Sequence, residues 1–365
     1  MSARYRHPDY KELGLDRAPE CRFEPAPKDA TLPEGFMSTT NFPTYVNVGG
    51  KWRMPEMHRM DSHLVWDPKS QKLATKEFPR IKKGDLVAVA TAEDGREGVL
   101  VWTHGFEDPG ATTATEEAFT FMATEVSREK PVNYPAIFDE FLKNRGANGR
   151  ILWVIGPALV HARGREALEW LINNGFCHCL FAGNAVGVHD VEAAMYGSTL
   201  GMKADGSGAA HGHAHHMRAI NEVKKAGSVK ALVDGGKVKH GIMHALTTKN
   251  VPYVLAGSIR DDGPIPETIT DTLTAQAKMR EWTDKATMVV MVATALHSIA
   301  TGNMLPTFCT RPNGEISEIT TICVDQEEFT VNKLKDRGTH QAFGVVTNAQ
   351  DFMRLLHLEL AARIK

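Results

Sequence analysis

With 365 residues the chain has room for two domains of about 150 residues each, and 42% apolar against 24% charged residues excludes disorder, collagen and coiled coil. Lys and Arg number 42 against 44 Asp and Glu, a formal net charge of −2, so no bulk field draws the chain to nucleic acid or to an anionic membrane. A small neutral or zwitterionic substrate fits this balance better.

No run approaches the roughly 18 apolar residues of a membrane span, and the start, Met1 to His7, lacks the apolar segment of a signal peptide. A cytoplasmic protein with no membrane partner is expected. Cys21, Cys177, Cys179, Cys309 and Cys323 form no C-x-x-C pair, which argues against a disulfide framework or a structural zinc site.

Residues 1–35 carry Pro8, Pro19, Pro25, Pro27 and Pro33 among many charges and are expected to form an extended arm with little regular structure. From 36 to 130 the runs are short and β-like: Thr44 to Val48, the Gly49-Gly50 turn, Lys51 to Arg53, Ser62 to Trp66, Leu86 to Ala90 and Gly98 to Trp102. They predict a small, mostly antiparallel β domain on the substrate side. From 131 to 365 apolar strands alternate with helical patterns. The predicted strands are Arg150 to Ile155, Cys177 to Ala182, Tyr253 to Ala256, Met288 to Ala293, Ile319 to Val324 and Gly344 to Thr347. The predicted helices are Pro135 to Asn144, Arg163 to Asn173, Ala210 to Lys225, Glu267 to Trp282, Thr330 to Asp336 and Ala349 to Ile364. The fold class is therefore α/β, with a C-terminal Rossmann-like parallel sheet and flanking helices preceded by the β domain.

Ligands of open parallel sheets bind beyond the carboxyl ends of the strands. Gly183-Asn184-Ala185, Gly257 to Gly263, Thr294-Ala295-Leu296-His297, Asp325 and Asn348-Ala349 all stand there. Small, amide and acidic residues at five strand ends suit close approach to a nucleotide, with a carboxylate for a ribose diol. Each also has a bland reading as a turn former or a helix cap. The G-x-G-x-x-G fingerprint is absent, and Gly156-Pro157-Ala158 lacks its spacing. Arg260, Asp261 and Asp262, crowded between Gly257 and Gly263, read as a grip on a charged ligand or as a solvated turn that caps the next helix. His211-Gly212-His213-Ala214-His215-His216 offers imidazoles, yet no carboxylate or Cys stands at ligand spacing, so no metal is expected and contact with a ligand is the better reading. Lys239 reads as a catalytic or phosphate-binding amine, or as part of a basic surface turn. His189-Asp190-x-Glu192 holds either an acid–base group or an acid pair placed for a helix dipole.

Several of these runs together resemble the LOR/SDH-type family, whose best-defined members are the archaeal-type ornithine cyclodeaminases. The resemblance rests on Gly183-Asn184-Ala185 with His189-Asp190-x-Glu192, His213-x-x-His216-x-x-Ala219-Ile220-Asn221, Leu255 to Pro264, Leu296 to Pro306 and Cys323-Val324-Asp325. It extends to Ser38-Thr39-Thr40-Asn41-x-Pro43-Thr44, Met60-Asp61 and Ser127-x-Glu129-Lys130. It implies an NAD-dependent enzyme, expected to be a homo-oligomer, that converts L-ornithine to L-proline and ammonia. Hydride passes from Cα to the nicotinamide, the δ-amine attacks the resulting imine, ammonia leaves, and the hydride returns to the cyclic imine.

Carried over, the resemblance implies NAD contacts at Asn184, Ala185, Asp262, Thr294, Ala295, Leu296, His297, Asp325, Asn348 and Ala349, and substrate contacts at Thr39, Thr40, Asn41 and Arg260. Handling a diamino acid calls for a proton acceptor and a carboxylate for the distal ammonium. Lys239, Asp261 and Glu129 are the candidates, Lys239 first because a desolvated lysine titrates toward neutrality. The chain departs from the family pattern at Met60-Asp61-Ser62, where Met-Asp-Cys is common, and at Asn348, where Asp is usual. An additional N-terminal domain is also usual ahead of the Thr-Thr-Asn motif, and extra residues appear around Glu93 to Pro109 and Thr307 to Glu318. Two alternatives carry other outcomes: a dehydrogenase of another amino acid or imine conjugate that releases NADH, and a non-catalytic sensor of NAD and an amino acid.

Overall fold

The structure is a computed structural model that describes residues 5–106, 132–146, 148–161, 164–261, 263–310, 314–336 and 342–364. The chain divides into two compact units, one of Met1–Pro131, Asn303–Ile319 and Gly338–Gln341, the other of Val132–Gly302, Thr320–Arg337 and Ala342–Lys365.

In the first unit the strands are β1 (Arg22–Pro25), β2 (Thr44–Val48), β3 (Lys51–Arg53), β4 (His63–Asp67), β5 (Lys72–Lys76), β6 (Leu86–Val89) and β7 (Val99–Val101). They form two antiparallel sheets in the orders β1-β6-β4-β5 and β3-β2-β7. Gly49 and Gly50, both at positive φ (62° and 70°), close the β2–β3 hairpin with the doubly left-handed backbone that a two-residue turn requires. Neighbouring residues of β4 serve opposite faces: Leu64 packs with Val46, Leu73, Ala88 and Val99, and Val65 with Ala26, Ile81 and Val87.

Among its described residues the proline-rich start carries a single strand, β1, before residue 36. β1 pairs along β6, and Tyr5, Leu15, Cys21 and Ala26 are buried. The prolines prevent long elements but not the burial of the apolar residues between them.

The second unit starts with α1 (Tyr134–Arg145), β8 (Ile151–Ile155), α2 (Pro157–His161), α3 (Arg165–Asn173), β9 (Cys179–Gly183) and α4 (Asn184–Tyr196). The short hairpin β10 (Ser198–Thr199) and β11 (Met202–Lys203) follows, then α5 (His215–Ala226), α6 (Val229–Asp234), α7 (Ile242–Thr248), β12 (Tyr253–Ala256), β13 (Thr268–Ile269), α8 (Thr272–Thr283), β14 (Met288–Val292) and α9 (Ala295–Met304). The chain then supplies β15 (Cys309–Thr310) and β16 (Ile316–Ser317) to the first unit and finishes the second with β17 (Thr320–Asp325), α10 (Glu328–Asp336), β18 (Ala342–Val346) and α11 (Ala349–Arg363). Thr307 explains this return. Its N–H donates to the His58 carbonyl at 2.7 Å and its hydroxyl meets His58 Nδ1 at 2.8 Å.

The seven-stranded sheet has the order β13-β12-β9-β8-β14-β17-β18 and is parallel throughout. Without the edge strand β13, the sequence order of its strands is 3-2-1-4-5-6, the doubly-wound arrangement that reverses direction between the first and fourth strands. That point falls between β8 and β14, both wholly buried, as their unbroken apolar runs predict.

Two helices begin later than their periodicity predicts. Glu267 does not open a helix: its carboxylate accepts the Val229 N–H at the start of α6, and Thr268–Ile269 extend the sheet. α8 starts only after Asp271, whose side chain caps it by accepting the Thr274 N–H at 2.8 Å. Similarly, His211 sits at φ 57° ahead of a 3₁₀ turn, and α5 starts at His215.

Candidate active site

At the point where the sheet reverses, the backbone is packed to the limit. A Cβ on Gly156, the residue after β8, would lie 1.9 Å from the Ala293 carbonyl oxygen, so only glycine fits there. Ala293, the residue after β14, holds φ 54°, a left-handed conformation that costs a non-glycine residue energy and concentrates at functional sites. This bend launches α9, so that Thr294, Ala295, Leu296 and His297 stand at the carboxyl ends of the strands. Ala295 and Leu296 are exposed, Leu296 at 70%, an apolar side chain left open at the mouth of the crevice.

His297 turns the other way. A Cβ on Gly183, at the end of β9, would come within 3.1 Å of its Cε1, and its Nδ1 lies 3.4 Å from the Thr294 hydroxyl. Burial lowers the His297 pKa below the ordinary imidazole value, with the Asp261 carboxylate opposing. The ring is therefore neutral near pH 7 and able to accept a proton. Asp261 closes its own loop by accepting the Ser258 N–H at 2.8 Å, while Arg260 and Ile259 project into solvent. Asp261 is thus a turn carboxylate that faces an imidazole of the site, and the cap of the next helix falls to Asp271. Asp262 lies outside the described residues.

α4 begins directly at the end of β9 with no side chain of the described residues capping it, an arrangement of first-turn N–H groups that suits an anion. Asn184 is buried and its Oδ1 accepts from the Ile265 N–H (3.1 Å) and the Thr268 hydroxyl (2.9 Å). Its side-chain oxygen is therefore committed to holding the loop after β12, and Ala185 beside it is half-buried. Asp325, half-buried at the end of β17, accepts the Glu327 N–H at 3.1 Å through one oxygen. Asn348 caps α11 by accepting the Asp351 N–H at 2.8 Å, and Ala349 is buried in the first turn.

The remaining candidates stand apart from this group. Lys239 lies on the exposed loop between α6 and α7, so the desolvation that made it the first choice for proton transfer is absent. Glu129 lies outside the described residues. In the first unit, the Thr39 hydroxyl is fully engaged between the Arg59 and Ser62 carbonyls and accepts the Ser62 N–H. Thr40 accepts the Phe42 N–H and Asn41 is half-buried. Asp190 proves structural. It pairs with Arg165 at 2.6 Å and accepts the N–H groups of Ile242 and Met243, capping α7 from α4.

No local pattern marks Ala293 in advance. Its conformation follows from the strand–helix junction, and only Gly156 after a buried strand hinted at a close approach.

Fold and residues together define a Rossmann-type α/β protein whose parallel sheet reverses its order between β8 and β14. Residues 136–356 match the family described as arginine dihydrolase ArgZ-like, C-terminal, Rossmann fold, and residues 43–135 its first region. The chain belongs to this family. It is 43% identical over 344 residues to ornithine cyclodeaminase of Methanothermobacter thermautotrophicus, covering 93% of this chain and 79% of that one. With the Synechocystis bifunctional arginine dihydrolase/ornithine cyclodeaminase ArgZ it shares 34% identity, covering 92% of this chain and 46% of the larger protein. Among solved structures, a protein described as LOR/SDH-type from Methanococcus maripaludis S2 superposes with a TM-score of 0.84 at 40% identity, covering 95% of this chain and all of that one (100%). The ternary complex of AgrE with ornithine and NAD+ gives 0.57 at 31% identity, covering 95% of this chain and 46% of that one.

Proposed function

We propose that this chain is an NAD-dependent ornithine cyclodeaminase, which converts L-ornithine to L-proline and ammonia without net oxidation. The observation that carries the reading is the group at the switch point, where α9 sets a neutral, half-buried His297 over Gly183 and beside Thr294, in a chain of this family. Its relatives' names and the AgrE ternary complex support ornithine and NAD+ as the ligands.

The residues fit a dinucleotide. The uncapped start of α4 offers N–H groups to a pyrophosphate, Gly156 and Gly183 leave room for close approach, and the second carboxylate oxygen of Asp325 remains available to a ribose diol. Asp325 has no adjacent Arg or Lys to take a 2′-phosphate, which favours NAD over NADP. When bound, NAD supplies an oxidant that is regenerated within the same turnover.

The chain's own groups then have two tasks. His297 accepts the amine proton as Cα is oxidised and returns it to the departing ammonia. Asp261 steadies the protonated ring and is placed to pair with an ammonium, and Arg260 offers a guanidinium to the substrate carboxylate. Thr39, Thr40 and Asn41 are proposed on the substrate side, where Thr39 acts by fixing the loop that carries the other two.

The test is stoichiometry. With L-ornithine and a catalytic amount of NAD, the expected result is equal yields of proline and ammonia with no accumulation of NADH. Stoichiometric NADH would assign a net dehydrogenase instead. Binding of NAD and L-ornithine with neither ammonia, proline nor NADH formed would assign a sensor.

A further inference from the structure

The fold divides the His211–His216 segment. His211 and His213 face solvent, His215 Nδ1 lies 2.7 Å from the Ser198 hydroxyl, and His216 turns inward against α4. There a row of three imidazoles forms, with His216 and His189 at a ring-centroid distance of 4.8 Å and His189 and His161 at 4.6 Å. Glu192, one turn beyond His189 on α4 and fully buried, faces the middle of the row. Among the described residues, His189, Glu192 and His216 bring their ligand atoms within 4.8 Å of one another.

Two features of this cluster ask for a cation. Glu192 is a buried carboxylate whose partners among the described residues are His189 Nδ1, the Ser198 hydroxyl and the N–H groups of Leu200 and Gly201, with no lysine or arginine among them. A carboxylate so enclosed, with no cationic side chain of Lys or Arg beside it, is costly to keep in an interior. His161 Nδ1, for its part, is buried and has no hydrogen-bond partner among the described residues.

We propose that His189, Glu192 and His216 bind a divalent transition-metal ion of the Zn²⁺, Co²⁺ or Ni²⁺ class, with His161 Nδ1 as the fourth donor. The ligand set is imidazole and carboxylate, the type that suits these ions. The His189 Nδ1 to Glu192 Oε2 separation of 3.2 Å is close to the edge of a tetrahedron with metal–ligand bonds of about 2.0–2.1 Å, roughly 3.3 Å. The wider pairs close by rotation of His216, which is half-buried in the first turn of α5. His189 and Glu192 lie about 8–12 Å along α4 from its first residue, at 1.5 Å per residue. The ion is therefore structural. It ties α5 to α4 and, through Glu192, to the β10–β11 hairpin, and it is independent of the proposed reaction. The histidine segment by itself lacks an acidic ligand, so no metal is expected from the sequence, and the fold supplies that ligand from α4.

The test uses the full chain after dialysis against a strong chelator. Titration with Co²⁺ is expected to give one equivalent bound, with the visible absorption of a four- or five-coordinate site displaced by Zn²⁺. At a hundredfold excess over Kd, Zn²⁺ is expected to raise Tm by about 5–10 °C. His216→Gln is expected to lose both signals while the metal-free Tm stays put, and Glu192→Gln gives the same readout if that variant fails to fold. The double variant His211→Ala/His213→Ala keeps them. No stoichiometric binding, binding that survives His216→Gln, or binding abolished by the double variant would each overturn the site.

Discussion

The base proposed for this site is His297 and not Lys239, and the choice turns on solvent. Lys239 lies on an exposed loop, whereas the His297 imidazole, packed over the end of β9, is held neutral by burial. His297→Gln is therefore expected to lower kcat by about 10²–10⁴-fold, while Lys239→Ala stays within a few-fold of the parent in steady-state turnover. Because the folded pKa of His297 lies below the ordinary imidazole value, activity is retained above pH 6.5 and falls on the acid side. The acid limb of the kcat/KM profile should have its midpoint below about 6.5, and a midpoint above 7 would exclude His297 as the base. Stability shows the same sign at His58, which is fully buried and pushed down to about 3, by burial first and then by the charge of Arg59. The folded state resists protonating it, so its contribution is present above pH 6.5 and is lost as pH falls from there toward 3, by up to about 1.4 kcal/mol per pH unit. Thermal melts of His58→Gln across that range should show a flatter dependence on pH than the parent.

At the level of elements, the junctions after β8, β9 and β14 matter more than the elements they join. Gly156→Ala pushes a methyl group onto the Ala293 carbonyl, and the sheet cannot part there without breaking the β8–β14 ladder. A loss of about 3 kcal/mol or more is expected in denaturant melts, beyond the usual cost of overpacking a core. Gly183→Ala is a gentler probe. Its methyl group meets only the edge of the His297 ring at 3.1 Å, so the ring tilts while the strand stays. The expected result is a Tm within a few degrees of the parent together with a clear fall in kcat, separating the position of the imidazole from the integrity of the fold.

On the scale of the whole molecule, the two units have separate apolar cores, and the residues proposed to hold the dinucleotide belong to the second. Its core spans both faces of the sheet, from Ile137, Phe141 and Trp153 to Met353 and Leu360. A ligand that binds only the folded state adds about 2.7 kcal/mol at a hundredfold excess over Kd. NAD at that concentration should therefore raise the calorimetric melting temperature of the full chain. At the same NAD concentration Asp325→Ala should show about half of this shift or less, since losing the ribose contact is expected to weaken binding by roughly 10–100-fold. An unchanged shift in Asp325→Ala would remove the ribose role from the end of β17.

The sequence by itself determined the α/β class, the six long strands of the parallel sheet and the residues at their carboxyl ends. Those features are written in local runs, since a strand buried on both faces must be continuously apolar and the turn after it must be small or polar. It also carried enough motif to place the family. The start of α8, the exposure of Lys239 and the capping duties of Asp190 and Asn184 were decided only by tertiary structure. The return of Asn303–Ile319 to the first unit and the meeting of His161, His189, Glu192 and His216 were settled the same way. Each depends on a partner far along the chain: Val229 for Glu267, Ile242 for Asp190, Ile265 for Asn184, His58 for Thr307. A side chain's choice between capping a helix, pairing with a charge and serving a ligand is set by what the folded backbone brings within about 3 Å of it, which local periodicity does not encode.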